Sequence, residues 1–122
     1  MVQIDVSLLT TGMRTQVNPD PSSAHSDDSV YWVFHSFDPT VAEVEIAFDK
    51  ASESYFFPRG NGPAFKSLRA NLVGGSATIW GRAPHIGGAG QRPTKYTINA
   101  YDAAGNPIAA YYLDPTVVTE EP

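Results

Sequence analysis

Cysteine is absent from the chain, which removes disulfides, thiolate metal sites and cysteine nucleophiles from consideration. Also missing is any apolar run approaching the roughly 20 residues that a membrane-crossing helix needs. The opening segment MVQIDVSLLTTGMR has neither a basic leader nor a long hydrophobic stretch, so no cleaved signal is expected and a soluble, cytoplasmic protein is. Long segments of helical apolar period are lacking too, while ten glycines and ten prolines are scattered along 122 residues. That pattern excludes a helical bundle and points to many short strands joined by turns.

What is present suffices for one core. Hydrophobic residues make up 42% and aromatics 11%, enough for a single domain spanning 1–122. VQIDVSL alternates Val2, Ile4, Val6 and Leu8 with polar residues, the period of a half-buried strand. VYWVFHSF (30–37) puts Trp32 and Phe34 on one face and Tyr31, Val33, His35 and Phe37 on the other, so its second face needs a cover. VAEVEIAFD reads as a strand with a wet face carrying Glu43 and Glu45. ESYFFPRGNGP is expected to run from an aromatic strand into a glycine-rich turn.

Residues 17–29, with three acidic groups, two prolines and four serines, are expected to form an exposed loop. Around 63–73 one short helix competes with a hairpin across Gly74–Gly75. SATIWG is a strand, 82–95 a flexible basic loop, and KYTINAYDAAGNPIAAYYLD a hairpin turning at Gly105–Asn106. PTVVT is a last strand before an acidic tail at 119–122. The expected fold is all-β, a two-sheet antiparallel sandwich of about seven or eight strands.

A tryptophan-bearing strand, EVEIAF, KYTINAYDAAGN and the closing LDPTVVT occur at a spacing that resembles the cupredoxin-like and immunoglobulin-like sandwiches of small bacterial proteins. The resemblance spans most of residues 30–119 and implies the fold more than a function. Copper-binding cupredoxins hold their metal through a cysteine and two histidines. Without cysteine that activity does not carry over, and no cofactor is expected.

Candidate chemistry is sparse. His25, His35 and His85 lie in different segments, with no spacing that argues for a shared metal. Glu43 and Glu45 share a strand face about 7 Å apart, which a solvated surface explains more simply than a glycosidase pair. DAAGN lacks the side-chain oxygens of a calcium loop, and GGAG (87–90) lacks the spacing of a phosphate loop.

Charge placement is the stronger signal. Residues 59–95 carry Arg59, Lys66, Arg69, Arg82, Arg92 and Lys95 without an acid, a sum of +6, flanked by segments of −7 and −4. Either the fold interleaves these segments, so that the surface is mixed, or a basic face meets an acidic protein or an acidic face of another copy. A net charge of −5 and a pI near 4.9 argue against nucleic acid as the partner. The expectation is a non-catalytic protein-binding or homo-oligomeric assembly module with an interface drawn from Tyr31, His35, Phe37, Arg59, Arg82, Arg92, Lys95 and Tyr111. The alternatives are a carbohydrate- or peptide-binding module using exposed aromatics, and a small hydrolase with acids from Glu43, Glu45 and Asp102.

Overall fold

The computed structural model describes residues 2–12, 14–48, 67–85 and 90–120. Within them the chain forms β1 (Val2–Leu9), β2 (Arg14–Asn18), β3 (Ser22–His25), β4 (Ser29–Ser36), β5 (Glu43–Phe48), β6 (Ser67–Asn71), β7 (Ser76–Arg82), β8 (Gln91–Tyr101) and β9 (Thr116–Glu120). A single 3-10 turn, Ala109–Tyr111, precedes β9. One sheet has the order β2-β1-β4-β7 and the other β3-β9-β8-β5-β6, so the molecule is an all-β, two-sheet structure.

Alternation dictates the core. Ile4, Val6 and Leu8 of β1, Val30, Trp32 and Phe34 of β4, and Ala77 and Ile79 of β7 face inward from one sheet. Val44, Ile46, Phe48, Tyr96, Ile98, Ala100 and Val117 answer from the other. Trp32 stands edge-on to Tyr96 (5.6 Å between centroids) and Phe48 (6.3 Å), the geometry that aromatic quadrupoles favour. Burial pushes the Tyr96 phenol far above its ordinary range.

Several expectations are corrected. The sheets are mixed rather than antiparallel, because β1 pairs with β4 and β3 with β9 in parallel. Parallel neighbours need a long connection, and the stretch between β1 and β4 supplies it by crossing to the other sheet. The expected loop at 17–29 therefore contains the end of β2 and all of β3. Strand β3 buries only Ser22 and Ala24, side chains too small to give it a hydrophobic signature.

Near 63–73 the outcome is a strand, with Leu68 and Ala70 half-buried between exposed Ser67, Arg69 and Asn71. The turn that follows joins Val73 to Ser76 by reciprocal backbone hydrogen bonds, with positive φ at Gly74 and Gly75, the signature of a type I′ turn. Much of the expected loop at 82–95 is strand as well, since Arg82 ends β7 and Gln91–Tyr101 is one continuous β8. The chain does turn after Tyr101, but it returns through isolated bridges, Tyr101 to Pro107 and Ile98 to Leu113, instead of a regular hairpin. The acidic tail begins inside β9, whose last residue is Glu120. The aromatic segment around 53–63 lies outside the described residues. No helix among the described residues is long and apolar enough to cross a membrane.

Candidate functional site

The outer face of the β2-β1-β4-β7 sheet is built by the residues that alternate with the core. Tyr31 of β4 lies directly opposite Trp80 of β7, and Val33 opposite Thr78. Gln3 of β1 is in register with Tyr31 on the other side. The Tyr31 and Trp80 rings meet edge-to-face, with centroids 3.8 Å apart and planes at 71°. Together with Gln3, Val33 and Thr78 they line an open recess of about 420 Å³. Gln3 Nε2 donates to Asp5 Oδ1 at 2.9 Å, which fixes the amide at the rim. A smaller recess of about 140 Å³, between β1, β3 and β9, is lined in part by His25, Asp28 and Glu120.

Other expected interface residues scatter. His35 is exposed on the same sheet face, its Nδ1 3.4 Å from Ser76 Oγ. Pairing of Ser29 with Arg82 and of His35 with Ser76 puts the start of the 82–95 segment at the opposite end of β4 from His35, about 20 Å away. The described part of that segment therefore does not cover His35. Phe37, just past β4, is 63% exposed, and Val73 and Tyr112 are the other large hydrophobic side chains exposed among the described residues.

Tyr111 is wholly buried. Its hydroxyl donates to Asp38 Oδ2 at 2.7 Å, so it acts as an internal strut and offers a partner nothing in this conformation. Arg59 is outside the described residues.

Of the six cations in the 59–95 block, Arg69, Arg82 and Lys95 pair with acids of their own chain, while Arg59 and Lys66 lie outside the described residues. Arg82 meets Asp27 Oδ1 at 3.3 Å, and His85 Nδ1 is 2.9 Å from the same carboxylate. Lys95 meets Asp114 at 3.4 Å. Arg69 lies 3.0 Å from Glu43 and 3.8 Å from Glu45, with its guanidinium 3.7 Å above the Tyr101 ring. Arg92 is exposed on β8, in register with Thr119 of β9. Basic strands thus lie beside acidic ones, and the blocks of sign visible along the sequence are interleaved by the fold.

The acids considered for hydrolysis are likewise engaged. Glu45 accepts from Tyr101 Oη at 2.8 Å and Asn99 Nδ2 at 3.1 Å, beside Arg69. Burial, and then the bond to Glu45, raises the Tyr101 phenol above its ordinary range. Asp102 accepts from the backbone N–H of Ala104 and Asn106, which shapes its own turn. Among the described residues no three His, Asp or Glu side chains are grouped to hold a metal ion.

Trp80, Gln3 and Thr78 were not among the expected site residues. The signal for Trp80 was present in SATIWGR, where Ala77, Ile79 and Gly81 are buried and Trp80 falls on the opposite parity. Compared with known protein families and curated proteins, the chain matches no family model and no curated sequence.

Proposed function

We propose that the chain is a non-catalytic binding module that engages its ligand through the outer face of the β2-β1-β4-β7 sheet. The observation that carries this reading is the Tyr31–Trp80 pair set in a recess with hydrogen-bonding groups at its rim. The recess is shallow and open, so it suits a ligand that is held on one side against aromatic rings and oriented by a few polar groups. Of the two sandwich types that the sequence resembles, the cupredoxin-like one fits better. Immunoglobulin sheets are antiparallel, whereas β1–β4 and β3–β9 are parallel here. A cupredoxin copper site does not come with it, because its thiolate ligand has no counterpart in this chain.

Self-association is the second reading, favoured by half-buried Tyr31 and Val33 lying on the same face as exposed His35. Its original electrostatic basis is weaker, since Arg69, Arg82 and Lys95 already have acidic partners in their own chain.

Arrays of saccharides and peptides probed with the wild type and with Trp80→Ala test the binding face. Retention on one ligand class by the wild type, lost in Trp80→Ala, supports it. Equal retention of both proteins contradicts it, and so does an empty array from a chain that scatters light as a 13.2 kDa monomer.

A further inference from the structure

We infer that the ligand of this face is a neutral saccharide, one sugar ring of which packs against the Tyr31–Trp80 pair; the inference rests on the reading of the face as a ligand site. With centroids 3.8 Å apart and planes at 71°, the two rings touch edge-to-face as a T, with no slot between them. A proline-rich peptide docks in a groove between aromatic walls, and rings in contact leave its pyrrolidine nowhere to enter. The corner beside the upright ring of a T instead accepts a flat-sided ring laid against that ring, with its edge on the other. A pyranose has that shape, with C–H groups on its faces and hydroxyls around its rim.

The rim chemistry agrees. Gln3 gives one N–H to Asp5 and retains a second N–H and its carbonyl oxygen. Thr78 adds an exposed hydroxyl that both donates and accepts. Neighbouring sugar hydroxyls require this mixture of donors and acceptors. None of the five lining residues carries a charge. The flanking carboxylate of Asp5, in register with Val33 and bonded to Gln3, repels an anion, so an anionic ligand would give up hydration without gaining a counter-charge.

The test follows the two indole N–H signals of the ¹⁵N-labelled chain, with buried Trp32 as internal control for Trp80. Probes are neutral disaccharides of gluco, manno, galacto and N-acetylglucosamine type, a digalacturonate, a proline-rich peptide, and the chain itself at rising concentration. A neutral disaccharide is expected to shift Trp80 and the Gln3 side-chain amide saturably while Trp32 stays fixed. Thr78→Val, nearly isosteric and on the surface, should weaken that binding at least about threefold, and Trp80→Ala at least about tenfold. If only the peptide or the digalacturonate moves Trp80, the neutral-saccharide inference is overturned while the ligand face stands; if only the chain itself moves it, the face serves self-association and both are overturned. If no probe moves it, both fall.

Discussion

At the scale of single residues, the contact between Asp38 and Tyr111 joins distant parts of the chain. Asp38 Oδ1 accepts from the N–H and hydroxyl of Thr40, and Oδ2 from buried Tyr111. These bonds, those from Thr40 first, hold the Asp38 carboxyl below its ordinary 3.8. A carboxyl with a depressed folded pKa binds fewer protons when folded than when unfolded. Its contribution to stability is thus complete above about pH 4 and lost as the pH falls through the folded value. Asp38→Asn should flatten the acid side of the urea-midpoint profile, and an unchanged slope would contradict this.

Burial, followed by the bond to Asp38, raises the Tyr111 phenol from 10.0 to about 12. The neutral phenol therefore stabilises the fold fully below pH 10, and its contribution is lost as the pH rises to about 12. Tyr111→Phe keeps the ring and removes a hydrogen bond to a charged acceptor, at a cost of about 1.5–3 kcal/mol in chemical denaturation. Nothing in AAYYL announced this role, because parity separates Tyr111 from Tyr112 without saying which is inside.

At the scale of elements, legibility followed hydrophobic alternation. Strands β1 and β5 were visible because apolar residues alternate with polar ones along them, and β4 and β7 because they are short runs rich in β-branched and aromatic residues. Strand β3 was hidden by its small buried residues, and β6 because Phe65, Leu68 and Leu72 imitate helical spacing while Leu68 and Ala70 also fit a strand.

The β6–β7 turn separates two effects of its glycines. Gly74 and Gly75 have φ of 60° and 79°, so alanine at either position carries a left-handed penalty of about 1–2 kcal/mol. A Cβ at Gly75 would in addition lie 3.2 Å from Ser36 O, whereas one at Gly74 would meet nothing within 4 Å. Gly75→Ala should therefore lower the urea midpoint further than Gly74→Ala. Equal losses would show that the contact with Ser36 carries no weight.

At the scale of the molecule, charge was the feature that the sequence could least resolve. A +6 block between acidic segments fits either a basic face or an interleaved surface, and folding sets Arg69 beside Glu43 and Glu45, Arg82 beside Asp27, and Lys95 beside Asp114. Such partly exposed pairs contribute about 0–1 kcal/mol each and are screened by salt. Their importance is that these cations are already matched. Light scattering should accordingly return the same mass at low and high salt, whatever that mass is. A mass that falls with salt would reinstate assembly through complementary charged faces.

The proposed recognition rests on the neutral aromatic face, and the most direct measurement is a backbone and side-chain chemical-shift map of the labelled chain titrated with neutral disaccharides. Shifts grouped at Gln3, Tyr31, Val33, Thr78 and Trp80 are the predicted result. Shifts gathered on the opposite sheet around Glu43, Glu45, Arg69 and Tyr101, or no shifts on either sheet, would contradict it.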